Sequence, residues 1–588
     1  MRARRPSARL IAVAVVVTAL AVPCLWAVLA HHVFAVGDIA LIELRTRDVL
    51  TSHPPLVGAY SRYGWSHPGP LEFYLFAIPY RLFGGTARAL RLTTLMFNVA
   101  TLVTIAWVVR RRGITTLVVL LAGASALVWG LASNALADSW NVTVAVLPFL
   151  LTIAACWCAC CGDRWAWMVA AVAFSFVFQA HVGFGVVLVP LMISTVVWLC
   201  IQSRRDNPHT SLRDVGLGIA TGTVVALPAL YDMLAHWPGN IWRLIKWSVN
   251  NDESTIGVSD SLRLLGRSTS LSFPVHPRFP NQFVFSIGVV DSGFLPGTLL
   301  LLLCIALALT VRRRMVAEAS LCGGLMVVWI SGLVAASRVT RPLAFWLVEW
   351  LQPLAWLSWG AVVLVGWRML QPLADVRFRR CRVRQVGAGF ALIALTLGTI
   401  GYAHRTASAN AHDTTIALIK AFTAVIGRLD KSQPIHLAYD GDPFAAGTIF
   451  LALADQMDRA GFRLCVDAAY ASQFGNSRVC PGRSDFELLI RDEPTALAPP
   501  DNSTTLAVSD PLSAAQRAEA DTLTATLTEV LVQNDLANDV ALLYTPLIAV
   551  ILKDLPPNDA ASSGSDIRRL IELRQLPGTR LGLYQVNR

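Results

Sequence analysis

A carboxylate placed where an apolar segment meets water can act on a substrate held in the bilayer. Asp38 is so placed, directly after the first long apolar run of the chain. Such a group can serve as a general base, taking the proton of an acceptor hydroxyl as it attacks an activated sugar. Its bland alternative is an acid that caps an interfacial helix. Glu43 lies five residues beyond Asp38 and Arg47 four beyond Glu43, so on a helix the three share nearly one face, either orienting a site or forming a surface ion pair.

A second polar knot, ASNALADSWN, closes the third apolar run. Its Asp138 and Asn141 stand one helical turn apart and can complete a site with Asp38, whereas alone Asp138 reads as a helix cap. His181, in FQAHVGFG, falls near another helix end, as a functional residue or a packed hydrogen-bonding one. Arg338 and Arg341 lie where arginine is otherwise scarce. A lipid phosphate, which guanidinium binds in a bidentate manner, would explain them, and aqueous exposure at a helix end is the alternative. Glu349 falls inside an apolar run, apart from the other acids.

The elements that must position these groups follow from composition. Of 588 residues 55% are hydrophobic and only 15% charged, against roughly 25% charged in ordinary soluble domains, which excludes a soluble globular protein. Apolar runs occur at 10–31, 86–109, 114–134, 142–161, 165–179, 183–202, 215–235, 294–311, 317–336, 343–367 and 386–403, the fifth the weakest. The fold class expected is a polytopic α-helical membrane protein of about 11 transmembrane helices with a C-terminal extracytoplasmic α/β domain.

The net charge of +11 is unevenly spread: the chain before Arg405 carries +17 and the remainder −6. Scattered between apolar runs, the arginines read as a topology signal and not as a nucleic-acid surface. With MRARRPSAR cytoplasmic, every second junction falls inside, and those junctions hold Arg110 to Arg112, Arg164, Arg204, Arg205, Arg312 to Arg314 and the cluster Arg368 to Arg384. The N-terminus is then cytoplasmic, the acids named above lie on or near the outer side, and an odd number of spans sends the C-terminal region out. A cleaved signal peptide is the lesser reading of the N-terminal run, which is long and has no evident cleavage site.

Two domains are expected, 1–404 in the membrane and 405–588 outside it. The second alternates strand-like runs (PIHLAYD, FRLCVD, DFELLI, LGLYQV) with helical ones. Cys465 and Cys480, the two cysteines of this tail, suggest a disulfide, with buried free thiols as the alternative. Cys156, Cys158, Cys160 and Cys161 resemble a metal site but lack His or acidic company, and read better as small core residues. HWPGNIWRLIKWS, opening the 236–292 loop, suits an amphipathic segment along the interface.

Taken together these residues resemble the GT-C superfamily of polyprenyl-phosphate-dependent glycosyltransferases, most closely the branch of protein O-mannosyltransferases and lipid A aminoarabinose transferases. The counterparts are Asp38, the ELRTRD stretch, His67 with Pro68 and Pro70, the sequence Tyr80-Arg81-Leu82-Phe83-Gly84, and Asp138. The likeness covers roughly the first 200 residues. It departs from the pattern where Ile39 replaces the second of the paired acids and His67 a lysine. The plan of bundle and outer domain is also similar to actinobacterial cell-wall arabinosyl- and mannosyltransferases.

The resemblance implies an inverting transfer in the cell membrane, from a polyprenyl-phosphate-linked sugar to a cell-envelope glycan, lipid or protein. Asp38 would be the base, Asp138 would position acceptor or base, and His67 with Arg338 or Arg341 would hold the donor phosphate. The tail would bind the acceptor. Some relatives use a divalent cation, so one stays open as a cofactor, although no ligand cluster of characteristic spacing identifies it. No Gly-rich phosphate loop is present. A transporter or flippase for lipid-linked sugars would share the composition but place ionisable groups mid-membrane, and Glu349 keeps that reading alive. A non-catalytic scaffold would make the acids incidental.

Overall fold

The computed structural model describes residues 8–31, 33–61, 63–131, 135–204, 212–270, 295–341, 343–377, 413–431, 434–443, 446–482, 486–544, 555–574 and 579–587, with Gly398. Helices occupy each of the first ten apolar runs, and the eleventh, 386–403, lies outside the described residues. In chain order they are α1 (Ala8–Ala30), α2 (Asp38–Asp48), α3 (Leu71–Leu82), α4 (Ala87–Val109), α5 (Ile114–Gly130), α6 (Asn141–Val144), α7 (Val146–Cys160), α8 (Arg164–Ala180), α9 (Val182–Arg204), α10 (Leu212–Val225), α11 (Leu227–Ala235), α12 (Gly239–Asn250), α13 (Gly257–Ser268), α14 (Thr298–Arg312), α15 (Val316–Ser337) and α16 (Leu351–Arg377).

Six stretches are long and apolar enough to cross a membrane: Arg9–Ala30, Ala87–Arg112, Asn141–Cys160, Val182–Arg204, Val316–Ser337 and Leu351–Gln371. A seventh forms if α10 and α11, bent by 62° at their junction, count as one. Helices α5, α8 and α14 have 17, 17 and 15 residues, and at about 1.5 Å per residue they fall short of a core roughly 30 Å thick. The described residues therefore give six or seven full-length spans where eleven runs are read from the sequence. Asn141–Cys160 is buried along its whole apolar window, the centre of the bundle.

One boundary differs from expectation in a way that matters. The 343–367 run is helical only from Leu351, and the segment before it is a short 3-10 turn and loop. Pro342 biases Arg341 toward extended backbone, and Pro353 sits in the first turn of α16, where a missing N–H costs little. Glu349 thus lies just outside the span, at its mouth.

The four cysteines Cys156, Cys158, Cys160 and Cys161 are free, the first two buried within α7. Helix α12 exposes Trp242, Ile245 and Val249, as an interfacial segment would.

The tail folds as helices on a five-stranded sheet. Its strands are β1 (Ile435–Asp440), β2 (Leu464–Cys465), β3 (Phe486–Asp492), β4 (Ser503–Ser509) and β5 (Leu581–Asn587), in the order β2-β1-β3-β5-β4. β1 pairs parallel with β2 and β3, and β5 antiparallel with β3 and β4. Helices α17 (Asp413–Ile426) and α18 (Ala446–Arg459) bury Phe422, Ile449, Phe450 and Leu453 with Leu437, Leu488 and Ile490 of the sheet. The same apolar cluster takes in Ala40, Leu41 and Leu44, so α2 is packed against the tail and not free on the membrane surface.

Candidate functional site

Asp38 is the first residue of α2. Before it Gly37 has φ 54°, a left-handed conformation that strains any side chain, and its amide donates to the Thr448 carbonyl of α18. With glycine at the cap position, the Asp38 carboxylate is free for other partners. Tyr60 Oη donates to its Oδ1 and Trp140 Nε1 to its Oδ2, each at 3.0 Å. Tyr60 is placed by the loop between α2 and α3 folding back on itself, where Tyr60 and Ser66 pair antiparallel. Asn240, at the start of α12, clamps that loop by accepting from Ser66 N and donating to Ser66 O. Burial pushes the Asp38 carboxyl up, and the bonds from Tyr60 and Trp140 pull it back in part. The net direction strengthens it as a base.

Trp140 also donates its backbone N–H to Asp138 Oδ1 at 3.1 Å. Burial raises the Asp138 carboxyl, opposed by that bond, by the Thr143 hydroxyl and by the charge of Arg91 on α4. Two further carboxylates lie within electrostatic reach of Asp138. Burial, then the Asp138 charge, pushes Glu72 well above the usual carboxylate range and Glu349 up to about 8. Trp140 meets Phe345 and Trp346 edge-on at 6.0 and 5.9 Å, which brings the segment before α16 against the Asp138 turn.

His67 and His181 lie with ring centres 4.7 Å apart and ring planes tilted by 35°. His67 Nδ1 accepts from the Val182 amide at 3.2 Å. Burial, then His181, pushes His67 well below its ordinary value, and burial pushes His181 down to about 4. His67 is therefore a neutral ring with Nε2–H left to donate, and it brings no positive charge to a phosphate. Several buried atoms here have no partner among the described residues: Glu72 Oε1, Ser139 Oγ, His181 Nδ1, Glu349 Oε2 and Gln352 Oε1. Each such group costs about 1–3 kcal/mol if left so, so each calls for a partner, a water or a ligand group.

The other residues singled out in the sequence are placed differently. Asn141 donates to Ala180 O and ties α6 to the end of α8. Arg338 is exposed at the C-terminal end of α15. Arg341 is bound to Asp260 at 2.7 Å and to Thr255 O. Glu43 and Arg47 face the tail: Arg47 pairs with Glu43 (3.3 Å), Asp455 (2.8 Å) and Asp458 (3.0 Å), and Arg459 with Glu43 and Asp455. Arg478 joins Asp48 to Asp458. Cys465 and Cys480 form a disulfide. Among the described residues no three His, Cys, Asp or Glu side chains converge as metal ligands.

Sequence reasoning missed Tyr60, Trp140, Glu72 and Arg91. The usable signal was for Arg91, a charge inside an apolar run.

No protein-family model and no curated protein matches the chain. Among solved structures similar to it are two of ArnT from Cupriavidus metallidurans. In the apo state it is 13% identical, covering 85% of this chain and 95% of that one at a TM-score of 0.48. Bound to undecaprenyl phosphate it is 14% identical, covering 85% and 96% at 0.44.

Proposed function

We propose that the chain is a membrane glycosyltransferase that moves a sugar, with inversion, from a polyprenyl-phosphate donor to an extracytoplasmic cell-envelope acceptor. The observation that carries this reading is the Asp38 carboxylate, held by Tyr60 and Trp140 beside Asp138 at the mouth of the helical bundle. There a lipid-held donor and a water-borne acceptor can meet. The N-terminus is cytoplasmic and the tail outside, so that site and tail share one side.

The acceptor hydroxyl gives its proton to Asp38 as its oxygen bonds to the anomeric carbon. The bond from that carbon to the phosphate oxygen breaks, and the electron pair leaves with polyprenyl phosphate. Tyr60 and Trp140 orient Asp38, and Asp138 positions Trp140 and the acceptor. Arg91 and Arg338 supply the positive charge that a phosphate needs, with His67 as a neutral donor, while Arg341 is already engaged by Asp260. The tail orients the acceptor.

The test is transfer by the detergent-purified chain offered polyprenyl-phosphate arabinose, mannose, glucose or galactose with mixed envelope acceptors. Product from one donor, lost in Asp38→Asn, supports the reading. The 62° bend between α10 and α11 favours a second one, since transporters use broken helices. Lipid-linked sugar moving between leaflets of proteoliposomes, with no transfer, would establish a flippase instead.

A further inference from the structure

The mechanism above uses Asp38, Asp138 and the arginines, and leaves a group of buried polar atoms without a task. Glu72, Ser139, His181, Glu349 and Gln352 come from α3, the Asp138 turn, the α8–α9 junction and the mouth of α16, distant in sequence and each less than a tenth exposed. Asp138 and the mouth of α16 connect them. Asp138 acts electrostatically on both Glu72 and Glu349, Ser139 adjoins it in the chain, and Gln352 follows Glu349 with its amide on the Glu349 carbonyl. Gly183, beside His181, faces the Leu347 carbonyl, so the junction and the mouth of α16 are in contact.

The chemistry of what would satisfy these atoms is narrow. A phosphate offers chiefly acceptor oxygens and does not satisfy the acceptors Glu72 Oε1, Glu349 Oε2 and Gln352 Oε1. A polyol meets the requirement, because each hydroxyl both donates and accepts. Glu72 Oε1, Glu349 Oε2 and Gln352 Oε1 can take its protons, the Ser139 hydroxyl can do either, and His181 Nδ1 completes the ring. Beside them Trp140, Phe345 and Trp346 form a partly exposed aromatic wall for the apolar face of a sugar ring.

We infer that Glu72, Ser139, His181, Glu349 and Gln352, gathered round Asp138, form the chamber that reads the hydroxyl groups of the donor's sugar. The inference rests on the glycosyltransferase reading for the identity of the donor, and names the residues that select it. Specificity would lie at the mouth of α16 and in α3.

The experiment compares affinities of the full purified chain for bare polyprenyl phosphate and for its arabinose, mannose, glucose and galactose esters. In the wild type one ester should bind more tightly than the bare lipid. In Glu349→Ala and Gln352→Leu that advantage should fall by on the order of 10- to 100-fold, with bare-lipid binding within about twofold and Glu349→Gln intermediate. Equal loss for bare lipid and ester, or an undiminished advantage in both variants, would overturn the inference. A wild type that shows the advantage yet transfers no sugar would fail the glycosyltransferase reading and leave the chamber standing. Thermal melting of each variant separates a folding defect from a binding one, and Glu72→Gln repeats the test on a different helix.

Discussion

The indole N–H of Trp140 donates to Asp38 while the backbone N–H of the same residue donates to Asp138, so that one residue ties the two carboxylates together. Trp140→Phe removes the first bond and keeps the second. A charge-accepting hydrogen bond of this kind is worth about 1.5–3 kcal/mol, and transfer should fall by roughly 10- to 100-fold. The bond from Trp140 favours ionised Asp38, so without it the carboxyl rises further and the acid limb of the pH–rate profile moves to higher pH. Tyr60→Phe should move the limb the same way. An unmoved limb in both variants would remove Asp38 from the base role.

Asp38 and Asp138 can be picked out in the sequence because a charge at the end of an apolar run is conspicuous. Tyr60 and Trp140 cannot, since the outer loops hold many aromatic residues and only folding selects which two reach Asp38. Glu43 and Arg47 are legible as a helical pair, yet their decisive partners lie about four hundred positions away in α18, where no local spacing points. The apolar runs locate the first ten helical stretches but not their ends, because an end depends on turns such as the short 3-10 turn at Phe345–Leu347 before α16. β4 was missed because STTLAVS is an edge strand of mostly polar residues.

Arg47 is the keystone between the bundle and the tail. Its guanidinium meets Glu43, Asp455 and Asp458, the first two fully buried. Removing it leaves Glu43 and Asp455 to share Arg459 alone and Asp458 to Arg478, a loss below the about 3–5 kcal/mol of a buried pair broken outright. Arg47→Met should therefore speed amide exchange in α2 and α18 and lower transfer with it, the helix that carries Asp38 being held along its length by the tail. Exchange unchanged in α18 would mean that apolar packing of Ala40, Leu41 and Leu44 alone suffices to dock the tail.

The Cys465–Cys480 disulfide closes the loop that carries Arg478 and Phe474. Arg478 bonds Asp48, and the Phe474 carbonyl accepts from Arg45, so this loop is the second hold of the tail on α2. For a separation of 15 residues the cross-link is worth about 3 kcal/mol. Cys465→Ser with Cys480→Ser should lower the melting temperature of the tail and raise exchange in α2 near Asp48. A fall confined to the tail would show that the loop keeps its place without the bridge.

Asp492, at the end of β3, accepts from the Asp442 amide and is nearly fully buried, and burial pushes its carboxyl up to about 7. An acid raised in the folded state holds a proton that the unfolded chain has already released. Its effect on stability is therefore absent below the unfolded value near 3.8 and grows more unfavourable as pH rises toward 7, levelling off above it. Asp492→Asn cannot titrate and can still accept the Asp442 N–H. The variant should melt close to the wild type at pH 4 and above it at pH 8, with the gap opening between pH 5 and 7. A constant difference across that range would mean that Asp492 is ionised in the folded protein throughout, and that its bond to Asp442 outweighs burial.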